Sequence, residues 1–252
     1  MNQSYQLSII VPVFNEARRL DAGLNGLMSY LASAPRATEL IVVDDGSSDN
    51  TAQLVESRLD GRPHARLIRV PVNRGKGFAV KTGMLAGLGA VRLFTDIDLS
   101  VPIATADRFY ESCAAGTPVV IGTRQVATSR VLVRQARARE FLSSVFRRFT
   151  QSFVTPGLSD VTCGFKAFRA EVAEKIFQQS RIERWTFDAE ILFLAQHYGI
   201  RVEEAPVEWS NSPETKVRLA IDLPRSLLEL LRVRWNWACG NYRRQWIGEK
   251  SA

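Results

Sequence analysis

The sequence predicts an α/β fold built on a mostly parallel central sheet with helices on both faces. Two observations predict it. Short apolar runs alternate with segments of helical periodicity four times in the first half of the chain, and polar or Gly-rich punctuation follows the apolar runs.

"LSIIVPVF" reads as the first buried strand, and the helix expected after it starts near Asn15, which is taken as its cap. "LIVV" is a second strand, "DDGSSD" a turn, and Asp49 or Asn50 the cap of the next helix. "ARLIRVPV" leads into the helical "NRGKGFAVKTGMLAG", and "AVRLFTD" into the helical "IATADRFYESCAAG". "TPVVIGTR" supplies a further strand that ends at Arg124. A long Arg-rich helical stretch comes next, then a short "CGFKAF" strand, a helix from about Phe187 to Tyr198, the strand-like "RVEEAPVEW" and a final helix. No repeat or low-complexity linker divides the chain, so residues 1–220 read as one domain, with an amphipathic helix and tail over 221–252.

Composition removes several classes. Of the 252 residues 46% are hydrophobic, enough for a sizeable core and too many for a disordered chain. Cys113, Cys163 and Cys239 are far apart and only His64 and His197 could add imidazoles, which argues against disulfide scaffolds and zinc sites. "MNQSYQ" lacks a signal-peptide pattern, and no window nears the ~18 uninterrupted apolar residues of a membrane span. The chain is therefore expected in the reducing cytoplasm. The net charge of +7 is concentrated: six arginines face one acid between Arg130 and Arg148, and eight basic residues face three acids between Lys216 and Lys250. Such segments suit an anionic partner: phosphate, anionic lipid or nucleic acid.

In open α/β sheets ligands collect at the carboxyl ends of the strands. Phe14 to Glu16, Asp44-Asp45, Asn73-Arg74, Asp96-Asp98 and Arg124 would converge on one such rim. If the strand continued through "TDID", Asp96 and Asp98 would point the same way. Two neighbouring carboxylates repel, and a divalent cation removes that penalty; hard oxygen ligands suit Mg²⁺ or Mn²⁺ bridging a diphosphate. A lone DxD equally fits an exposed turn with capping aspartates.

The ordered set "VPVFNEARRL", "VVDDGSSDNT", "NRGKGFAVKTG", "DIDLSVP", "GTR" and "DVTCGFKAF" resembles the family-2 inverting glycosyltransferases of the GT-A nucleotide-diphosphosugar transferase fold over roughly residues 7 to 220. The nearest branch transfers a hexose to a polyprenyl phosphate and includes dolichyl-phosphate glucosyltransferases and mannosyltransferases. The resemblance implies that Pro12, Phe14 and Glu16 line the nucleotide pocket, that Asp45 reaches the base and that Asp44 supports the loop. Lys76, between two glycines at a helix start, would face phosphate. Read alone, "DDGSSD" and "RGKG" are also ordinary turns.

The same resemblance makes Asp98 the direct metal ligand, with Asp96 near the ribose or sharing the ion. Ser100 stands where relatives often carry an amide ligand. It also implies that Arg124, Arg134 and Arg139 hold an acceptor phosphate, which Arg forks match geometrically. Asp160 to Lys166 would close over the donor sugar, with Cys163 as packing, and Lys216 would be the cation of a mobile loop. A phosphate acceptor is already mostly dianionic near neutral pH, its second pKa being ~6, and needs no general base. A hydroxyl acceptor would need one, and Asp188 and Glu190 of "FDAE" stand at the family position for it; they also suit the N-terminal end of a helix.

In the final helix Arg225, Glu229, Arg232 and Asn236 form one stripe, and the broad apolar remainder, edged by Trp235, Trp237, Trp246 and Arg243-Arg244, suits an anionic membrane surface or packing against protein. The expected enzyme is thus a hexosyltransferase, peripheral on the cytoplasmic face of a membrane. UDP-glucose is the favoured donor and GDP-mannose the alternative. The rival readings are transfer to a soluble or polysaccharide hydroxyl, a silent sugar-nucleotide binder, and a nucleic-acid module using the arginine segment. The last lacks a reader motif and leaves the acidic strand ends unexplained.

Overall fold

The structure is a computed structural model that describes residues 5–125, 130–133, 148, 150–210 and 219–242, with backbone alone at 130–133 and 219–223. The strands are β1 Leu7–Val13, β2 Thr38–Asp44, β3 Ala65–Arg69, β4 Val91–Phe94, β5 Val119–Thr123, β6 Arg130–Val133, β7 Lys166–Arg169, β8 Val202–Pro206 and β9 Glu208–Ser210. The helices are α1 Leu20–Ser33, α2 Thr51–Leu59, α3 Lys76–Ala86, α4 Thr105–Ala114, α5 Ala170–Gln179, α6 Phe187–His197 and α7 Leu219–Ala238.

The main sheet has the order β3-β2-β1-β4-β7-β5-β8. β1 runs parallel to both neighbours, with Ile10 opposite Ile41 on one side and Phe94 on the other. Because strand side chains alternate, Ile9 and Val11 pack with α1, α2 and α4 on one face, while Ile10 packs with α3, α5, α6 and α7 on the other. Helices on both faces of a mostly parallel sheet are the expected architecture.

One reversal decides the site. β7 lies antiparallel between β4 and β5, and its first residue, Lys166, pairs with Phe94, the last residue of β4. The start of β7 therefore reaches the rim where the parallel strands end, and the segment leading into it is delivered there as well.

Several expected boundaries move. The first helix begins at Leu20 and not at Asn15, which sits at φ 52° and bonds elsewhere. "RVEEAPVEW" is split into β8 and β9, and β9 pairs in parallel with β6, so Arg130–Val133 is strand where helix was expected. The division at residue 220 falls in the first turn of α7. No helix among the described residues is long and apolar enough to cross a membrane.

Candidate active site

The rim is built first by loops that tie one another down. Asn15, left-handed after β1, accepts hydrogen bonds at Oδ1 from the backbone N–H groups of Ser48 (2.8 Å) and Asp49 (3.3 Å), and its own N–H donates to Ser47 Oγ at 2.8 Å. Asp45 does the same for the next loop. Its carboxylate accepts from Asn73 Nδ2 at 2.8 Å and from the N–H groups of Gly75 (2.7 Å) and Arg74 (3.1 Å). Burial raises the Asp45 carboxyl above its ordinary value against the pull of these donors. The Asp44 carboxylate, also buried, accepts from Ser47 N–H at 3.3 and 3.4 Å. The loop-holding work expected of Asp44 thus falls largely on Asp45. Gly75 adopts φ 119°, a conformation that side chains resist, at the N-terminal end of α3 where Lys76 begins the helix.

Pro12 and Phe14 are half-buried at the carboxyl end of β1. Glu16 is buried; its N–H donates to Thr51 Oγ1 at 2.8 Å and its carboxylate accepts from Arg19 Nη2 at 2.7 Å. Arg19 in turn places Nη1 3.9 Å from Asp98 Oδ2. The Glu16 hydrogen bond, working against burial and aided by the Asp98 and Asp96 charges, raises the Arg19 guanidinium above its ordinary value.

The two aspartates do not share a strand. β4 stops at Phe94, the Leu99 N–H closes a turn on the Asp96 carbonyl at 3.1 Å, and Leu99 takes φ 47°. Of the two geometries the sequence allowed, strand continuation is excluded, and a tight turn brings the acids together. Asp96 Oδ1 lies 2.6 Å from Lys76 Nζ, and Asp98 Oδ1 accepts from Ser100 N–H at 3.0 Å. Both carboxylates act on both cations, since each contributes to raising Arg19 and Lys76. For Lys76 burial opposes the charged form, and the fields of Asp96 and Asp188 outweigh it. Gly164, two residues before β7, packs so tightly on Asp96 that a Cβ there would overlap Oδ2.

Two more buried pairs flank the acids. Lys166, fully buried, donates to the Cys163 carbonyl at 2.5 Å and to Asp188 at the start of α6. Burial raises the Asp188 carboxyl despite Lys166 and Lys76. Arg124 forks onto buried Asp160, with Nε to Oδ2 at 2.7 Å and Nη2 to Oδ1 at 2.8 Å, and lies 5.3 Å from the Trp209 ring centroid. The Asp160 pair overcomes burial and raises Arg124.

Glu190 does not join them. It points away from Asp188 into the fold, accepting from the N–H groups of Arg181 (2.9 Å) and Ile182 (2.8 Å) and from Tyr242 Oη at 2.5 Å. Its place as a candidate base is corrected to that of a buried anchor. Ser100 is on the rim, with its N–H on Asp98 and its carbonyl accepting from Ser210 N–H at 2.9 Å. Arg134, Arg139 and Lys216 lie outside the described residues. Cys163 is buried with its thiol pushed up to about 11, as a packing residue should be. Arg19 is a site cation that no motif flagged, although it lies within a quoted segment, and Lys166 was named only as the end of the segment expected over the donor sugar.

Among the described residues no three or more His, Cys, Asp or Glu side chains form a metal cage. Asp96 and Asp98 offer two carboxylates facing a polar rim. That donor set fits an ion such as Mg²⁺, which completes its shell with water and substrate phosphates.

Residues 8–177 match the model of the glycosyl transferase family 2. The chain belongs to glycosyl transferase family 2. It is 32% identical over 249 residues to the dolichyl-phosphate beta-glucosyltransferase of Dictyostelium discoideum, covering 94% of this chain and 76% of that one. The human dolichyl-phosphate beta-glucosyltransferase is 28% identical over 251 residues, covering 94% and 78%. Glucosyl-3-phosphoglycerate synthase from Mycobacterium tuberculosis, solved with Mn²⁺, uridine-diphosphate and glucosyl-3-phosphoglycerate, superposes with a TM-score of 0.63 at 17% identity, covering 94% of this chain and 80% of that one. That likeness establishes the GT-A fold.

Proposed function

We propose that this family-2 glycosyltransferase moves glucose from UDP-glucose to a polyprenyl phosphate, with inversion, at the cytoplasmic face of a membrane. The observation that carries the reading is its 32% identity, over 94% of the chain, to a dolichyl-phosphate beta-glucosyltransferase. The rim supports it with a donor-side arrangement of acids and cations that a sugar diphosphate needs.

Pro12, Phe14 and Glu16 line the nucleoside side. Asp98, with Asp96, would hold Mg²⁺ or Mn²⁺, which when bound neutralises the departing diphosphate. Lys76, held at the helix start by Asp96, faces the same diphosphate. Gly164 lets the segment before β7 close against Asp96, and the buried Lys166–Asp188 pair fixes the floor beneath. Arg124, with Arg134, Arg139 and Lys216, is assigned to the acceptor phosphate, whose dianion attacks the anomeric carbon directly. One displacement inverts that centre, and no side chain has to remove a proton.

The test is to incubate the protein with Mn²⁺, polyprenyl phosphate and labelled UDP-glucose or GDP-mannose, then weigh any product that partitions into organic solvent. A glucosyl lipid phosphate is expected from UDP-glucose, and Asp98→Ala should abolish it while the protein stays folded. Product that stays in water with a saccharide acceptor would overturn the lipid acceptor, and full activity of Asp98→Ala would overturn the metal role.

A further inference from the structure

The side chains of α7 divide between two faces. Leu230, Val233 and Trp237 turn inward, where the Trp237 ring meets Phe193 at 5.7 Å and His197 at 4.7 Å between centroids. Asn236 is buried too, and Glu229 accepts from Thr186. The opposite face carries Leu228, Leu231 and Trp235, which are 67%, 48% and 69% exposed. Exposed Pro224 and Ala238 extend the same line at spacings of four and three. Large exposed apolar side chains occurring singly are ordinary; three in register on one helix are not.

Arginines border this stripe. Arg225 and Arg232 run along one edge and Arg234 along the other, all exposed. Glu229 is the one acid between Pro224 and Tyr242, and it is turned toward Thr186. The expected stripe of Arg225, Glu229, Arg232 and Asn236 is thus divided by the fold: its arginines face solvent and Asn236 faces the core. Arg243, Arg244 and Trp246 lie outside the described residues.

We infer that Leu228, Leu231 and Trp235, flanked by Arg225, Arg232 and Arg234, are a docking surface for an anionic lipid bilayer. α7 lies in the plane of the interface, its apolar stripe in the head-group and acyl boundary and its guanidinium groups on lipid phosphates. A second copy of the chain suits the face less well, because a two-fold contact through it would bring arginine borders together. The inference extends the reading of a membrane-borne acceptor, and its test is separable from that reading because binding needs neither donor nor acceptor.

The full chain is sedimented with vesicles of phosphatidylcholine alone and of phosphatidylcholine with about one third phosphatidylglycerol. Binding to the anionic vesicles is expected, weakening as salt rises. Combined Leu228→Ser, Leu231→Ser and Trp235→Ser should cut partition more than about tenfold, since all three apolar side chains leave the lipid. Arg225→Gln with Arg232→Gln should cut the anionic preference by about 25-fold, or about fivefold per arginine. Circular dichroism and thermal unfolding of both variants should match wild type, because the altered side chains are exposed. Transfer to a water-soluble short-chain polyprenyl phosphate should survive in the triple variant. A wild type that ignores vesicles, a triple variant that binds as well as wild type, or a dimer that the triple variant dissolves would overturn the docking surface. Vesicle binding without any transfer would sink the acceptor reading and leave the surface standing.

Discussion

Asp160→Ala tests whether the site arginine is held by one buried charge. Asp160 is fully buried, and its carboxylate accepts from the Arg124 N–H at 3.0 Å, from Nε at 2.7 Å and from Nη2 at 2.8 Å. The Arg124 side chain is 20% exposed, so removing its partner strands a mostly desolvated cation. Breaking a buried pair from one side costs about 3–5 kcal/mol, and the residual exposure of Arg124 favours the lower figure, about 3 kcal/mol. For a chain of this size that lowers the melting temperature by about 6–12 °C. Thermal and urea unfolding of wild type, Asp160→Ala, Arg124→Ala and the double variant form a cycle, and a coupling of about 2 kcal/mol or more is expected. The pH dependence has a definite sign. Burial works against the Asp160 carboxylate, but Arg124 outweighs it and holds the carboxyl below its ordinary value. The stabilisation is therefore complete above the unfolded value of about 4 and is lost as pH falls through the depressed folded value. A loss below about 1 kcal/mol, or a coupling near zero, would refute the claim that Asp160 holds Arg124.

Glu190 gives the opposite pH sign: burial raises its carboxyl, so its contribution is present below about 4.5 and declines as pH rises to the folded value. Glu190→Gln should remove that decline and cost about 1–3 kcal/mol in urea unfolding, since an amide NH₂ must then face the Arg181 or Ile182 N–H. Gly164→Ala should weaken Mn²⁺-dependent UDP binding about tenfold by calorimetry, about 1.4 kcal/mol, by forcing Asp96 aside, with little change in melting temperature. Of the three cysteines, buried Cys113 and Cys163 have thiols pushed up to about 12 and about 11, whereas Cys239 is exposed. A thiol reagent at pH 8 should titrate one cysteine in the native protein and three after unfolding.

The sheet was legible because β1, β2 and β4 are rich in apolar residues and buried at nearly every position, the mark of strands covered on both faces. The reversal of β7 was not, since "KAFR" carries no sign of its direction and its place between β4 and β5 is set by long-range pairing. The acidic rim was visible as sequence, but the geometry joining Asp96 to Asp98 was left open between strand and turn. A turn closed at Leu99, a residue with no turn preference, replaces the strand. Asp188 and Glu190 could have been separated in advance. Positions i and i+2 on a helix face in different directions, so one site cannot use both. Arg19 was illegible for another reason: its spacing from Glu16 announces one partner, but it reaches Asp98 across the fold, which nothing in the local sequence signals.

The rim shows how opposed charges can be kept together before substrate arrives. Asp98 lies beside Arg19, Asp96 against Lys76, Asp188 on Lys166 and Asp160 on Arg124. The last two pairs involve groups sunk in the core, where parting them is costly, so they behave as fixed framework. The first two are looser: Asp96 is 39% exposed, and Arg19 stands 3.9 Å from Asp98. A divalent cation alone would have to compete with Lys76 and Arg19 for the carboxylates. A cation arriving with a sugar diphosphate brings anions that those same side chains can turn to, so no charge is stranded. On the proposed reading ion and donor enter together, and by linkage each tightens the other.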